Sequence, residues 1–527
     1  MSTGKPALKK RSLGQITGFL VVMSALSRVL GYMREIVMTT AFGQGWMTDA
    51  YKAAFLIPDF LYLVLIGGAF STAFIPVLSG YVSEHREDEA WHVASTLFNL
   101  MLIAVFIGIF GCYLAVPWIM QHFLAVGYAE NTQQLAVYLT RMMLLQSFFM
   151  CLSGICQGIC HVYQQFSAPA IGSLLYNIAI IAIGIWLMPA IGITGFAIGV
   201  VVGSYLNFLA HIPVLMKIGV KYRPVLDVRH EGVYEFFRLA LPVVLGLSVI
   251  YLNFFVTQNL GSRLDEGTVT ALNNANRLMQ LPVGVFATAI ASAFFPTLTQ
   301  LVAKHDMDGF KEKMVSGINL NNFILIPASV GLIAVAEPLI RALFMQGRFT
   351  ENNVTLTASL LIFYCIGIIG YSQQQILNRG FYAIRDTKSA VLVNCGIIFI
   401  NIILSFVFVR VFSARGLALA YSVAGLVSMV LLYVILRNKV GSLGSRKIFI
   451  SFVKICIASG VMGIVVVLSS RVSEIFLDSS LKSHQMIELF GAVGIGIVVF
   501  VAMAYLLHIE EMDDFTALIK RKLHLNR

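Results

Sequence analysis

At roughly 150 residues per domain, a chain of 527 residues would fold as three or four soluble domains. The composition excludes that: hydrophobic residues make up 58 % and charged residues 12 %, against about 25 % charged in soluble proteins, and the mean hydropathy is +0.83. The net charge of +11 does not point to nucleic acid, because Lys and Arg sit in short clusters between apolar runs, as the positive-inside rule requires.

Mostly apolar runs of 18 or more residues recur from end to end, the signature of spanning helices. They predict an all-α, polytopic membrane protein of about fourteen helices. The first seven lie near 15–40, 50–82, 91–119, 134–160, 168–189, 193–216 and 233–260. The other seven lie near 268–303, 315–337, 354–378, 389–411, 415–436, 448–469 and 486–508. The basic start, with Lys5, Lys9, Lys10 and Arg11, reads as the flank of a retained first helix. Arg28 interrupts the apolar stretch, and no convincing small-residue cleavage site follows.

An even number of spans returns the C-terminus to the side on which the chain began. With both termini cytoplasmic, the inner loops and tails hold about 24 basic residues and the outer loops about seven. The seven cysteines all fall within apolar stretches. Cys151, Cys156 and Cys160, beside His161, suggest a metal site, but at about 100° per residue the second and third point roughly 140–180° away from the first. They read as small core hydrophobes, with no metal and no disulfide.

An internal repeat organises the chain. Ala69–Leu78 matches Ala289–Leu298 at an offset of 220, Gly195-Phe-Ala197 matches Gly416-Leu-Ala418 at 221, and Pro58 matches Pro282 at 224. Six helices per copy, an even number, make the copies parallel, a known transporter design with the site near the midplane between halves. The expected organisation is a cytoplasmic tail (1–14), an N-lobe of helices 1–6 (15–216), a linker (217–232) and a C-lobe of helices 7–12 (233–437). Helices 13 and 14 (438–508) lie outside the repeat, and a cytoplasmic tail (509–527) ends the chain.

Six basic residues remain within or beside the spans. Lys52, Arg141 and Lys454 lie near span ends, where snorkelling to the headgroups accounts for them. Arg28 and Arg34 sit in the body of the first span, where a central Arg costs about 2.5–3.5 kcal/mol on insertion scales. They are about 9 Å apart along the axis and about 120° around it, so they would line a cavity wall rather than clamp one oxygen. Glu35 lies two turns from Arg28 on nearly the same face, which leaves room for an internal ion-pair network. Arg277 lies in the second copy of the repeat, within Asn273-Asn-Ala-Asn-Arg277-Leu-Met-Gln-Leu-Pro282. If the halves face each other, three guanidiniums would surround one cavity and favour a polyanion, best a diphosphate.

Carboxylates within the spans (Glu35, Asp49, Asp59) are confined to the first two helices. This distribution disfavours a cation antiporter, although Asn177, Asn253, Asn394 and Asn401 offer carbonyls to sodium or bonds between helices. No phosphate-binding loop, metalloprotease motif or catalytic triad occurs. The expectation is therefore a transporter without catalytic residues or cofactor, not an enzyme.

Ser27-Arg28-Val-Leu-Gly31-Tyr-Met-Arg34-Glu35, Ala41-Phe-Gly43, Thr48-Asp49-Ala50-Tyr, Ile57-Pro58, Gly68-Ala69-Phe-Ser71 and Ala73-Phe-Ile-Pro76 resemble the N-terminal signature of the MurJ (MviN) family. Its members are the lipid II flippases of peptidoglycan synthesis, within the superfamily that also holds MATE drug exporters and polysaccharide flippases. Asn276-Arg277-Leu-Met with Pro282, and Gly380-Phe-Tyr382-Ala-Ile-Arg-Asp386-Thr-Lys388, resemble its later signatures. The resemblance implies that Arg28, Arg34 and Arg277 contact the diphosphate of an undecaprenyl-linked disaccharide-pentapeptide. It implies gating by Asp49 and Glu35, and a groove for the lipid tail on helices 13 and 14. It further implies a bacterial cytoplasmic (inner) membrane location and alternating access driven by membrane potential or a monovalent ion, with lipid II, the bilayer and wall-synthesis proteins as partners. Many members carry a basic pair in helix 2 and an acidic residue before Gly-Ala-Phe-Ser. Here Leu61-Tyr62-Leu63-Val-Leu-Ile66-Gly67-Gly68 holds no charge, so nothing is carried over to Tyr62, Leu63 or Gly67. The competing readings are another polyprenyl-diphosphate sugar exporter, a MATE-like antiporter, whose cationic substrate would meet like charge, and a membrane scaffold.

Overall fold

The structure, a computed structural model, describes residues 13–67, 70–476 and 481–512. Residues 1–12 and 513–527, parts of the expected tails at 1–14 and 509–527, and Gly68 and Ala69 of the repeat motif lie outside them. Every regular element among the described residues is helical. The chain opens with α1 (Leu13–Phe42) and α2 (Trp46–Leu65), then a π turn (Phe70–Phe74) and α3 (Ile75–Ser83). Twelve helices long and apolar enough to cross a membrane follow among the described residues. Their ends differ from the expected ones by about two turns at most.

The twelve begin with α4 (Glu87–Ile119, continued by a π turn, Met120–Leu124), α5 (Glu130–Val162), α6 (Ser167–Ile191), α7 (Thr194–Ile218) and α8 (Glu231–Ser262). Next come α9 (Thr268–Pro282), a π turn (Val283–Ala287) and α10 (Thr288–Ala303) as one continuous rod, then α11 (Met307–Ala334) and the short α12 (Ala336–Phe344). The remainder are α13 (Glu351–Cys365) with α14 (Ile368–Ala383), α15 (Thr387–Phe412), α16 (Ala414–Val440), α17 (Ser445–Phe476) and α18 (Lys482–Leu506). Proline explains the breaks in two rods: Pro117 and Pro282 cannot donate to the helix ladder, and a π turn follows within a few residues of each.

The backbone carries the repeat independently of the side chains. His85 (φ 60°) and His305 (φ 58°), Gln164 (φ 56°) and Arg385 (φ 61°), and Gly219 (φ 78°) and Gly441 (φ 90°) all turn through positive φ. Gly192 (φ 60°, ψ −137°) and Ser413 (φ 52°, ψ −133°) share a rarer conformation. The four separations are 220, 221, 222 and 221 residues, the offset already read from the motifs. Gly195 and Gly416 then play one part in two hairpins. A Cβ would lie 2.8 Å from Leu187 Cβ at the first and 2.2 Å from the Phe408 carbonyl oxygen at the second. Leu187 and Phe408 are themselves 221 residues apart.

Packing divides the chain into two compact units, one holding Trp46–Phe255 with the residues up to Phe42, the other holding Gly43–Gly45 with the residues from Val256 onward. Division by packing and division by repeat thus part at α8. Its first turns bury Val233, Phe236 and Ala240 against Phe74, Leu78, Trp91 and Ile155 of the first unit. A second core of that unit joins Met38 of α1 to Tyr51, Met143 and Phe196. In the second unit, Phe310, Met314, Phe381 and Leu436 form one core, and α17 and α18 add another through Met462, Val466 and Phe500 against Phe323 and Ile326. The outer faces keep large apolar side chains exposed, among them Trp186, Val411 and Phe490. That pattern makes sense only in hydrocarbon.

Candidate functional site

In the first unit the unusual charges gather where α1 and α2 meet. Glu35, in α1, accepts from Arg34 Nη2 at 3.1 Å through one oxygen and from Lys52 Nζ of α2 through the other. Its backbone carbonyl accepts from Thr39 Oγ1 at 2.7 Å. The side chains of Glu35 and Lys52 are 5 % and 7 % exposed and that of Arg34 is 13 % exposed, so Arg34 is the most accessible of the three. At about 1.5 Å per residue, Arg34 lies about 12 Å from the end of α1 and Lys52 about 9 Å from the start of α2. Lys52 therefore does not snorkel, as its place near a span end suggested; it turns inward to a carboxylate. Arg141 lies over the Tyr113 ring at 4.5 Å, and Lys454 donates to the His508 carbonyl at 3.0 Å.

Arg28 has a different setting. It is exposed on α1, beside the contact at which Ser27 and Ser173 of α6 share a 2.6 Å hydrogen bond. Glu35, two turns away, is buried, so the helical-wheel proximity of Arg28 and Glu35 does not give them one environment. Asp49 is 1 % exposed, in the first turn of α2, one turn before Lys52. A helix N-terminus stabilises negative charge there. Asp59 follows Pro58 in α2 and accepts from Gln146 Nε2 of α5 at 3.2 Å, while Ser147 donates to the Pro58 carbonyl at 2.9 Å.

In the second unit Arg277 is half-buried on α9. Its neighbour Asn276 lies near the Tyr421 hydroxyl. Tyr421 stacks on Tyr371 at 4.4 Å between centroids and meets Tyr364 edge-on at 5.5 Å. An aromatic ladder from α13, α14 and α16 thus packs near the turn of α9 that carries Arg277. Neutral amides fill much of this unit's interior: Gln373 bonds Asn322, Asn321 bonds Ser372, and Gln374 bonds Asn394 at 2.7 Å. Cys151, Cys156 and Cys160 are buried free thiols. The sequence missed Lys52 as a partner of Glu35 and missed the tyrosine ladder. Three aromatics on three separate helices leave no local signal, whereas an uncompensated buried Glu35 did call for a cation.

Among solved structures, the chain superposes on one described as "Lipid II flippase MurJ, inward closed conformation" with a TM-score of 0.78 at 26 % identity, covering 96 % of this chain and 99 % of that one. It also shares its fold with an inward-facing MATE family multidrug transporter of the MOP superfamily, at a TM-score of 0.68 and 14 % identity over 81 % of this chain and 99 % of that one. Fold and buried charge together define a multi-pass membrane protein with the architecture these two structures share.

The family description "Lipid II flippase MurJ" matches residues 38–485. The lipid II flippase MurJ of Burkholderia cenocepacia is 30 % identical over 441 residues, 81 % of this chain and 84 % of the relative. The probable lipid II flippase MurJ of Vibrio cholerae is 29 % identical over 510 residues, 94 % and 97 % of the two chains. The chain belongs to the MurJ family of lipid II flippases, and is accordingly a transporter and not an enzyme.

Proposed function

We propose that this protein carries lipid II, the undecaprenyl-diphosphate-linked precursor of peptidoglycan, from the inner to the outer leaflet of the cytoplasmic membrane by alternating access. One observation carries the reading beyond family membership. Where α1 and α2 meet, Arg34 and Lys52 converge on the Glu35 carboxylate, and Arg34 is the most accessible of the three. An accessible guanidinium held in place this way suits a diphosphate better than a cationic drug. Arg28, Arg34 and Arg277 are the groups assigned to the diphosphate, Asp49 and Glu35 to gating, and α17 with α18 to the polyprenyl tail. Both termini are assigned to the cytoplasm on the asymmetry of loop charge. Membrane potential or a monovalent ion is the assigned energy source, with no cofactor.

The test is rescue of a bacterium depleted of its own lipid II flippase, with lipid II in the outer leaflet scored directly and membrane abundance checked. Rescue by the wild type but not by Arg28→Ala supports the reading. Failure of an abundant, inserted wild type overturns it and turns attention to other polyprenyl-diphosphate sugars.

A further inference from the structure

We infer that the groove between α4 and α5, at the end nearest the loop of residues 125–129, binds the phosphate of a glycerophospholipid through Arg141. The site begins with Pro117 of α4. It has no N–H, so the Tyr113 carbonyl four residues earlier lacks its helical donor. Arg141 of α5 supplies one: its Nε donates to that carbonyl at 3.2 Å, and its guanidinium carbon lies 4.5 Å from the centre of the Tyr113 ring. One edge and one face of the guanidinium are thus held. Nε is one of five N–H donors, and those on Nη1 and Nη2 make no hydrogen bond among the described residues. Arg141 forms part of the wall of a groove of about 700 Å³. A planar fork fixed at its stem suits two oxygens of one phosphate.

The order of side chains along the groove identifies the ligand. On α5, Glu130, Gln134, Tyr138 and Arg141 follow one another at spacings of four, four and three, which makes one helical stripe. Gln134 Nε2 donates to Glu130 at 3.0 Å. Gln133 Nε2 holds the Ala125 and Tyr128 carbonyls at 2.8 and 3.1 Å, which shapes the rim. Beyond Arg141 the surface turns apolar, with Phe106, Phe110 and Leu145 exposed. A polar stripe, one cation and then exposed hydrocarbon side chains match the head, phosphate and chains of a phospholipid. Glu130, at the head end, favours a zwitterionic head over a second anion. Depth agrees with this. The 33 residues of α5 span about 50 Å against about 30 Å of hydrocarbon, so a centred helix projects about 10 Å on each side. Arg141, about 16 Å from the first residue of α5, then starts about 6 Å inside the hydrocarbon edge. Its side chain leans toward the helix N-terminus, and so toward the headgroups. Inorganic phosphate would have to leave water to reach the fork, whereas acyl chains hold a lipid's phosphate close to it. The site is separate from Arg28, Arg34 and Arg277 and holds whichever lipid the protein carries.

The experiment titrates dioctanoyl phosphatidylethanolamine into the purified full-length protein in detergent and counts bound lipids by native mass spectrometry. Arg141→Gln is the decisive variant. Glutamine Nε2 stands as many bonds from Cα as arginine Nε, so it keeps a donor for the Tyr113 carbonyl and lacks only the Nη fork. It should melt with wild type and bind its tightest phosphatidylethanolamine at least about tenfold more weakly, the scale of one charge-assisted hydrogen bond. Pro117→Ala returns an N–H to the Tyr113 carbonyl and releases Nε, and should weaken binding by less than Arg141→Gln does. Arg410→Gln, which removes an exposed arginine in the last turn of α15, should bind as wild type does. Dioctanoylglycerol, which has no phosphate, should not distinguish wild type from Arg141→Gln, and inorganic phosphate should not displace the lipid. Equal phosphatidylethanolamine binding by wild type and Arg141→Gln overturns the inference. An equal loss with dioctanoylglycerol also overturns it, and displacement by inorganic phosphate does so by assigning the fork to the free anion. If Arg141→Gln does not fold, Pro117→Ala carries the test, and unchanged lipid binding by that variant overturns the inference.

Discussion

Gly370→Ala tests how the second unit holds Arg277. Gly370 of α14 faces Gly425 of α16 so closely that an added Cβ would lie 2.3 Å from the Gly425 carbonyl carbon, 2.4 Å from its oxygen and 2.6 Å from the next nitrogen. These are backbone atoms, which cannot rotate aside. Ordinary carbon contacts begin near 3.5 Å, so α14 and α16 must separate by about 1 Å. Overpacking of this kind costs about 1–3 kcal/mol, and the facing residue, Gly425, already has Tyr371 against it: a Cβ there would meet the ring at 2.7 Å. The strain therefore falls on the Tyr371–Tyr421 stack, which lies near Asn276, the neighbour of Arg277. The assay is the melting temperature of the purified protein in detergent, paired with lipid II transport. Gly370→Ala should lose several degrees, at about 2–4 °C per kcal/mol for a large domain, and should transport poorly. Gly460→Ala is the control: nothing lies within 4 Å of its Cβ, and replacing a helix-interior glycine should add about 0.4–1 kcal/mol. Equal melting temperatures for the two variants would refute the reasoning.

Arg28→Ala, Arg34→Ala and Arg277→Ala should each abolish transport while the protein remains inserted, and Lys at these positions should restore it only in part, since it lacks the planar fork; full transport by all three Ala variants would remove the diphosphate assignment. Ser413 occupies a conformation that its counterpart Gly192 adopts without a side chain. Ser413→Gly should therefore raise stability by about 1 kcal/mol or more as strain is relieved, and Gly192→Ser should lower it; thermal melts of both check this. Outside the spans, Lys439 and the amide and hydroxyl of Ser389 hold the Asp386 carboxyl down at about 2. A depressed folded-state value stabilises the fold above the usual carboxyl value of about 4 and loses that contribution as pH falls toward 2. The difference in melting temperature between wild type and Asp386→Asn should thus be constant from pH 8 to 5 and shrink below about pH 4; a constant difference down to pH 3 would exclude the pair as its source.

The linear sequence by itself determined the class of protein and most of its plan. Apolar runs longer than a bilayer is thick permit few structures but spanning helices, because unpaired backbone groups cannot be left in hydrocarbon. The spacing of Gly195 and Gly416, or of Pro58 and Pro282, revealed a repeat that the backbone then showed at His85 and His305 and at Gly192 and Ser413. Arg28 and Arg34 stood out because charge within an apolar helix demands a reason. Tertiary structure decided which of these charges answer one another. Helical periodicity placed Glu35 on the face of Arg28, yet one is buried and the other exposed. Angle about an axis says nothing of what packs against that face. Lys52, seventeen residues on, reaches Glu35 only because the turn after Phe42 sets α2 beside α1 in one register. The ladder of Tyr364, Tyr371 and Tyr421 likewise exists only once three helices are packed together. A partner contributed by another helix is a property of the packing, and packing is where charge in a membrane gains or loses its solvation.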